Sequence, residues 1–250
     1  MADTQTRRRS GVLSYGDSAF SPKFGASMWD DCPRLAIAQD PSVAFTHFDH
    51  FHSYAAADWT ITTTEAGAGD ATEAITDEQG GVLLITNDAA DNDSDELQRV
   101  GETFTLVPGK PAWVEAAFKI NDVTQSDFLF GLCITDTTLI DGMTDGVFFQ
   151  CDDGDAVLDW HVIKDSTETS SNGATPVTLA DGEWFRTGIK LLVDGSIEMW
   201  VNGVKVQSYS GANIPNDELL RFSMAIQNGE AVAKTLSADY MDGVQMLARY

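Results

Sequence analysis

The sequence has few basic residues and no long apolar stretch. Its 250 residues include 15 Lys and Arg but 39 Asp and Glu, which gives a formal net charge of −24 at pH 7. A body with that charge repels the phosphates of nucleic acid instead of neutralising them. The longest apolar runs, such as residues 128–134, are far shorter than the roughly 18 residues that cross a bilayer. We therefore expect a soluble protein that binds neither nucleic acid nor membrane.

Cysteine is also scarce. Cys32, Cys133 and Cys151 are the three cysteines, and no two of them have C-x-x-C spacing. An odd number without that spacing argues against a disulfide framework and against a zinc site. The basic cluster at residues 7–9 is not followed by the apolar stretch of roughly 7 to 15 residues that a secretory signal needs. We expect synthesis in the cytoplasm and reduced, mostly buried thiols.

The charge is distributed unevenly along the chain. Residues 1–40 hold five basic and five acidic residues, so the whole net charge of −24 lies on residues 41–250. The apolar side chains of residues 1–31 are isolated among Gly, Ser, Pro and polar residues, so this segment cannot form a core of its own. We predict an extended N-terminal arm at residues 1–42. A short helix or turn near residues 33–39 would begin at Pro33 and end at the Asp40-Pro41 step.

From about residue 43 onward, apolar and polar residues alternate in short segments. Period-two alternation between Gly, Asn and Asp turns predicts antiparallel strands and is typical of a sandwich or barrel. Helical periodicity is nearly absent. The predicted strands cover residues 45–52, 59–64, 82–86, 96–106, 113–121, 128–135, 146–151, 157–164, 184–193, 196–201, 204–209, 221–227 and 235–247.

Residues 181–209, DGEWFRTGIKLLVDGSIEMWVNGVKVQSY, have the clearest pattern. Segments 189–193 and 197–201 each place alternate apolar side chains on one face of a strand. Asp194-Gly195 between them is typical of a tight hairpin turn, and Asn202-Gly203 supplies a second one. Two such turns so close together predict an antiparallel meander.

This stretch resembles the laminin-G-like and concanavalin A-like lectin/glucanase sandwiches. Those domains share a phrase of DG-x-W, an apolar strand, a DG turn, a strand with an aromatic residue, and V-[ND]-G-V. The closing SADYMDGVQML, residues 237–247, resembles the family's last strand, and FDHF, residues 48–51, resembles the opening strand that pairs with it. The resemblance implies an all-β fold over residues 43–250, an antiparallel two-sheet jelly-roll sandwich.

A sandwich of this type behind an arm with a CP…DP turn, here Cys32-Pro33 and Asp40-Pro41, also resembles virion structural proteins of tailed bacteriophages. The resemblance implies a non-enzymatic capsid decoration or cement protein on the exterior of the virion. Its expected partners are the major capsid protein or other virion proteins and further copies of itself, with a trimer as the expected oligomer. The residues expected to make capsid or subunit contacts are Arg7, Arg8, Arg9, Phe20, Phe24 and Trp29.

The resemblance also implies an alternative, a lectin-like module on a head fibre or tail appendage that binds polysaccharide. Trp160 and Trp200 are the candidate sugar-stacking residues. Trp200 lies on the strand face opposite Met199 and Val201, so it is a platform for a sugar if that face is open and a core residue if another layer covers it.

A third functional class is an enzyme, either a glycan hydrolase or a histidine-dependent lyase. Because the glucanase pattern E-x-D-x-x-E is missing, as are G-x-S-x-G and H-E-x-x-H, we predict that the protein is not an enzyme.

The segment THFDHFH, residues 46–52, holds three of the four histidines. In an extended strand His47 and Asp49 would point one way, and His50 and His52 the other. Two histidines on one face are too few for a metal site without a ligand from elsewhere. We therefore predict no metal site there. The alternating phenylalanines instead favour a strand that is covered on both sides near its junction with the arm.

The acidic run DAADNDSDE, residues 88–96, is the best candidate for binding a cation. Carboxylates at alternate positions are typical calcium ligands, but the Gly that an EF-hand requires is replaced by Glu96. The open alternatives are a calcium site in a loop of the sandwich and a solvated acidic loop. We predict no required cofactor.

Overall fold

The computed structural model describes residues 8–9, 12–13, 27–67, 69–171 and 177–247. In these ranges the chain forms one α-helix, α1 (Arg34–Gln39), and three 3-10 turns at Pro41–Val43, Ala56–Asp58 and Val123–Gln125. No described helix has the length and apolar character needed to cross a membrane. The strands are β1 (Arg8–Arg9), β2 (Val12–Leu13), β3 (Ala44–Asp49), β4 (Trp59–Thr64), β5 (Thr72–Thr76), β6 (Val82–Thr86), β7 (Ser94–Arg99), β8 (Phe104–Thr105), β9 (Ala112–Ile120), β10 (Ser126–Cys133), β11 (Gly146–Cys151), β12 (Val157–Lys164), β13 (Thr167–Ser170), β14 (Val177–Thr178), β15 (Phe185–Leu191), β16 (Ile197–Val201), β17 (Val204–Tyr209), β18 (Leu219–Asn228) and β19 (Thr235–Met246).

Two antiparallel sheets contain all of these strands except β1 and β2, which pair with each other. The nine-stranded sheet has the order β13-β12-β11-β10-β18-β7-β4, with β14 beside β12 and β8 beside β18. The eight-stranded sheet has the order β17-β16-β15-β9-β19-β6-β5, with β3 beside β19. The two sheets pack face to face, so the predicted all-β jelly-roll sandwich is confirmed.

The main core lies between the sheets and is rich in phenylalanine. The ring of Phe118 on β9 lies 5.1 Å from that of Phe128 and 4.9 Å from that of Phe130, both on β10. Alternate residues of each strand supply these inward side chains. Burying a phenylalanine contributes roughly 1.5–3 kcal/mol. This aromatic layer holds the central strands of the two sheets together.

The meander predicted for residues 184–209 is present as β15, β16 and β17. Gly195 in the first turn has φ of +89°, and Asn202 and Gly203 in the second have φ of +50° and +76°. Two successive positive φ values match the tight turns whose twist suits a β-hairpin. Asn and Gly tolerate this backbone region better than other residues, which is why these turns are visible in the sequence.

The opening strand pairs with the closing strand as the resemblance implied, but it ends earlier than predicted. β3 runs antiparallel to β19, with Asp49 opposite Met241. Asp49 Oδ1 accepts the Phe51 N–H at 2.8 Å, and Phe51 has φ of +48°. The chain turns there and places Phe51 in the core. Phe48 is 58% exposed, so the prediction of a strand covered on both sides is wrong at this residue.

The sequence pattern missed five short strands, β1, β2, β5, β13 and β14, and joined two others, β7 and β8. β5 (TEAIT) and β13 (TETS) have few buried side chains because they lie at sheet edges, so no apolar alternation marks them. The strand predicted at residues 96–106 is divided into β7 and β8. Gly101 between them has φ of +99°, a conformation that interrupts an extended strand.

Candidate functional site

The outer face of the eight-stranded sheet is partly covered by residues 27–43, which we call the docked segment. Met28 is 1% exposed and packs in a small apolar cluster with Trp113 and Val244 of the sheet. Gly188 makes room for it, because a Cβ at position 188 would lie 2.3 Å from the Met28 sulfur. Ile37 of α1 is buried in the same cluster. Apolar contacts therefore hold the docked segment against the outer face of the eight-stranded sheet.

Charged groups fix the docked segment at two further points. Asp31 accepts the indole N–H of Trp113 at 2.9 Å and the Lys190 ammonium at 2.8 Å. Arg34 donates to the carboxylate of Asp242 on β19. Burial raises the pKa of Asp242, and the Arg34 guanidinium opposes that shift. These bonds orient the segment, since charge-assisted hydrogen bonds are stronger and more directional than neutral ones.

The residues predicted to make capsid contacts lie mostly outside the described residues. Arg7, Phe20 and Phe24 are in that part, and Arg8 and Arg9 are described only as backbone strand β1. Of the six predicted contact residues, only Trp29 lies in the described part of the chain with its side chain described as well.

Trp29 is half-buried beside the apolar cluster of the docked segment. The Arg34 guanidinium lies 4.1 Å from the centre of its ring. In this position Trp29 helps to seat the docked segment on the sandwich. The boundary predicted at residue 42 between arm and sandwich stays a prediction.

The two tryptophans predicted to stack on sugars are not open platforms. Trp160 is 5% exposed and belongs to the main core, so its ring offers no free face and that expectation is corrected. Trp200 is half-buried beside Met28, and its indole N–H donates to Glu198 at 3.3 Å. The docked segment partly covers it, which matches the alternative of a residue packed under a second layer.

A small cavity opens on the outer face of the nine-stranded sheet, and we call it the acid-lined cavity. Its volume is about 160 Å³, similar to the roughly 150 Å³ cavity that accommodates a benzene-sized ring. Four hydrogen-bonding side chains and four apolar ones line it, namely Asp141, Gln150, His161, Glu168, Leu139, Met143, Phe148 and Ile163.

Strand pairing places the polar groups of the acid-lined cavity. Phe148 on β11 lies opposite His161 on β12, and their rings are parallel with centres 4.9 Å apart. His161 Nδ1 is 2.7 Å from the carboxylate of Glu168 on β13. Gln150 donates to Asp152 at 2.6 Å and to Asp141 at 3.3 Å. The side chains are therefore held in place before any ligand arrives, which lowers the cost of binding one.

One wall of the acid-lined cavity comes from residues 134–145, which fold back over the nine-stranded sheet. The Leu139 N–H donates to Glu96 at 2.8 Å, and the Asp136 N–H donates to Gln98 at 3.0 Å. Leu139 and Ile140 are buried against outward-facing residues of β10 and β11. Side chains of β7 therefore fix residues 134–145, although β7 is two strands away from β10 in the same sheet.

A buried carboxyl group lies near the acid-lined cavity. Asp127 on β10 is 8% exposed and accepts the Asp153 N–H at 2.6 Å. Burial, together with the neighbouring Asp153, Asp152 and Asp141, raises the pKa of Asp127 to about 6, although the bond from the Asp153 N–H opposes the shift. The region is strongly acidic, which disfavours an anionic ligand there.

The histidines of residues 46–52 do not form one group. His47 is half-buried with its ring 5.2 Å from that of Phe222, and burial lowers its pKa. His50 and His52 are exposed, and His50 Nδ1 is 3.9 Å from Asp239. Within the described ranges, no three His, Cys, Asp or Glu side chains are arranged to hold a metal ion.

The acidic run at residues 88–96 is organised by amide side chains. Asn228 donates to the backbone carbonyls of Asp88 and Ala90 at 2.6 and 2.8 Å, and Asn87 donates to the carbonyl of Asp93 at 2.9 Å. Asp88 and Asp93 accept backbone N–H groups of residues 69 and 66. Asp88 and Asp93 thus each direct one carboxylate oxygen to a different backbone N–H group instead of to a shared cation. Neither alternative left open by the sequence describes the whole run: Asp93, Asp95 and Glu96 are buried and residues 94–99 form strand β7, so it is not a solvated loop.

Comparisons with known proteins identify the fold. No family model and no curated protein matches the chain. Among solved structures, a protein of unknown function from Shewanella oneidensis MR-1 aligns with 15% identity over 83% of this chain and 89% of that chain, with a TM-score of 0.59. An endo-1,3-beta-glucanase from Streptomyces sioyaensis aligns with 13% identity over 82% and 98%, with a TM-score of 0.57. The Emp46p carbohydrate recognition domain aligns with 11% identity over 78% and 93%, with a TM-score of 0.51. At these identities the likeness establishes the fold, that of the concanavalin A-like lectin/glucanase sandwiches.

Proposed function

We propose that this concanavalin A-like sandwich is a non-enzymatic structural protein of a bacteriophage virion, a capsid decoration or cement protein. In this proposal residues 1–26 bind the major capsid protein and the acidic sandwich projects outward from the capsid exterior. A homotrimer would match a local three-fold axis of the shell. The observation that carries the proposal is the docked segment, which joins the basic N-terminal residues to one fixed place on the sandwich.

The distribution of charge supports this role. The sandwich carries the whole net charge of −24, while residues 7–9 form a basic cluster. An acidic body stays soluble and resists self-association, whereas arginines can form paired hydrogen bonds with carboxylates of another protein. A protein with these two parts would bind a shell through its N-terminal residues and keep its body away from neighbouring bodies.

Removal of residues 1–26 tests the proposal. We expect the shortened protein to fold, because Met28, Asp31 and Arg34 remain, and to lose binding to capsids assembled without it. The measurement is co-sedimentation with those capsids, with circular dichroism to verify the fold. Full binding by the shortened protein would refute docking through the N-terminal residues.

A charge-matched pair of variants sharpens that test. Arg7→Gln, Arg8→Gln and Arg9→Gln together should weaken capsid binding at least tenfold. The control replaces three basic residues of the sandwich, Lys110→Gln, Lys205→Gln and Lys119→Gln, and should leave binding unchanged. Equal losses in both variants would mean that overall charge governs binding, not the arginine cluster.

A second candidate function is binding of a polysaccharide by a module on a head fibre or tail appendage. The acid-lined cavity favours it, because a parallel Phe148–His161 pair and preset amide and carboxylate groups surround a space of the size of one ring. The Emp46p domain, whose name describes carbohydrate recognition, has the same fold. Without lysine or arginine among its lining side chains, and with His161 paired to the Glu168 carboxylate, the cavity would select a neutral or amine-bearing sugar.

A glycan array, read with and without calcium, tests this second function. Glu168→Gln and Gln150→Leu should abolish any signal if the acid-lined cavity is the site, whereas Asp194→Asn, in an exposed hairpin turn, should not. Signals that persist in both cavity variants would place the binding site elsewhere. Release of reducing ends from a bound polysaccharide would contradict the non-enzymatic part of both proposals.

A further inference from the structure

A completely buried carboxyl group lies between the two sheets at one side edge of the sandwich. Asp95 alternates on β7 with the core residue Leu97 and is 0% exposed. Its strand pairs with β4, the edge strand of the nine-stranded sheet. The group that faces it across the sandwich is Glu73 on β5, the edge strand of the eight-stranded sheet. Asp95 and Glu73, which we call the acid pair, thus join the edges of the two sheets.

The acid pair has no cationic partner in the part of the chain that the structure describes. Both oxygens of Asp95 are buried and receive no hydrogen bond from a described N–H or hydroxyl group. The Tyr54 hydroxyl reaches Glu73 at 3.5 Å. The charged groups that act on Asp95 are all carboxyls, those of Glu73, Glu65 and Glu96.

Two carboxyl groups in contact inside a protein cannot both be ionised at acceptable cost. Desolvation opposes each negative charge, and the two charges repel each other strongly in a medium of low polarity. If one group keeps its proton, its O–H can donate to the other, and both are satisfied. Burial first, and the contact with Glu73 second, raise the pKa of Asp95 to about 8.

We propose that the acid pair is a proton-dependent latch that holds the edge strands β4 and β5 together across the sandwich. With the proton present, the O–H···O bond between Asp95 and Glu73 closes this edge. Loss of the proton leaves adjacent carboxylates, with Glu65 beside them, and the edge opens to admit water. The rest of the sandwich stays folded, because the phenylalanine core lies between the central strands.

The direction of the pH effect follows from linkage. A carboxyl group whose pKa is raised from 3.8 to about 8 on folding contributes stability that is complete below the unfolded pKa. That stability is lost as the pH rises through the folded pKa. One proton is released on opening over the interval between these values. The equilibrium constant for opening should therefore rise about tenfold per pH unit from roughly pH 5 to pH 7.

Native-state hydrogen exchange measures this opening. After correction for intrinsic exchange rates, the amides of β5 should show the tenfold rise per pH unit, and those of the central strand β15 should not. In Asp95→Asn the amide cannot ionise and can donate to the Glu73 carboxylate, so the β5 amides should lose their pH dependence. A pH-independent opening of β5 in the unchanged protein, or an unchanged slope in Asp95→Asn, would overturn the latch.

Two further measurements keep the test decisive. If Asp95→Asn does not fold, Glu73→Gln should make the same profile less steep, because the glutamine amide can donate to the Asp95 carboxylate while Asp95 stays buried. Asp194→Asn, a change at an exposed acid on the β15–β16 turn, should leave the profile unchanged. Addition of CaCl₂ at pH 7 should have no effect on β5 exchange. Suppression of opening by calcium would mean that the acid cluster takes a cation in place of the proton, which overturns the proposal.

Discussion

At the scale of single residues, two buried side-chain amides hold the acidic run at residues 88–96 in place by donating hydrogen bonds to its backbone carbonyls. Asn228 is 0% exposed and Asn87 is 2% exposed. Asn87 donates to Asn228 at 3.2 Å, and Asn228 donates to two carbonyls of the acidic loop. An amide is suited to this position because it can donate two hydrogen bonds and accept others at once. The acidic loop therefore depends on uncharged donors.

Asn228→Ala should reduce the free energy of unfolding by about 2–4 kcal/mol, because the part-buried carbonyls of Asp88 and Ala90 lose their side-chain donor and the Asn87 amide loses one of its acceptors. Urea denaturation at neutral pH measures the change. Gln79→Ala, at an exposed position, is the control and should alter stability by less than about 0.5 kcal/mol. A small effect of Asn228→Ala that calcium does not change would show that water replaces the amide without cost.

Asp127 gives a second prediction at this scale. Because its pKa is raised to about 6, its contribution to stability is present below the unfolded pKa and is lost as the pH rises through about 6. Asp127→Asn can still accept the Asp153 N–H but never ionises. It should increase the free energy of unfolding on the order of 1–2 kcal/mol at pH 7.5 and change it little at pH 4.

Asp194 is the matched control for that experiment. Hydrogen bonds from Ser196 lower its pKa, so its stabilising effect is present above the unfolded pKa and is lost as the pH falls. Asp194→Asn should therefore destabilise the protein at neutral pH, which is opposite in sign to Asp127→Asn. Urea denaturation at the two pH values measures both variants. Equal signs for the two would contradict the assignment of burial as the cause at Asp127.

At the scale of elements, one of the contacts that hold the docked segment is that between the Met28 side chain and Gly188. A side chain at position 188 would collide with Met28, so Gly188→Val should displace the segment and speed trypsin cleavage after Arg34 about tenfold or more. Met28→Ala should also speed cleavage, because it removes buried apolar surface. The double variant should be no faster than the faster single one, since both changes break the same contact. Additive effects would mean that Gly188 does not seat Met28.

The sequence predicted those elements whose signals are local. The β15–β17 meander was predictable because Asp194-Gly195 and Asn202-Gly203 mark turns and the strands between them alternate. β5 was not, because its side chains are mostly exposed at a sheet edge. The acid-lined cavity was not either. It requires residues 134–145 to reach Glu96 and Gln98, a long-range contact that a residue pattern does not contain.

Whether a tryptophan is buried or exposed was harder to predict from the sequence than the positions of the strands. Trp160 alternates with polar neighbours on β12, but alternation alone does not reveal which face is buried. The structure places Trp160 in the core and leaves His161 on the outer face at the cavity. The signal that could have separated them is the pair Leu158 and Val162, which share the face of Trp160 and are apolar.

At the scale of the whole molecule, the excess of carboxylates opposes compactness. Thirty-nine acidic residues against 15 basic ones leave most surface carboxylates without a cationic neighbour. Folding brings these charges closer together, and this repulsion reduces the stability that the core supplies. Salt screens exposed charges with a Debye length of about 10 Å at 0.1 M.

This balance predicts that salt stabilises the protein. An increase in NaCl from about 0.02 M to about 0.5 M should raise the melting temperature by several degrees, because screening reduces repulsion more than it weakens the few surface ion pairs. Differential scanning calorimetry measures the shift.

The control variant for this experiment carries Asp70→Asn, Asp77→Asn, Glu183→Gln and Glu218→Gln at four exposed positions, so its net charge is −20 instead of −24. It should melt at a higher temperature in low salt and respond less to NaCl. A melting temperature that falls with salt would mean that surface ion pairs, such as Lys164–Asp217, outweigh the repulsion among the remaining carboxylates.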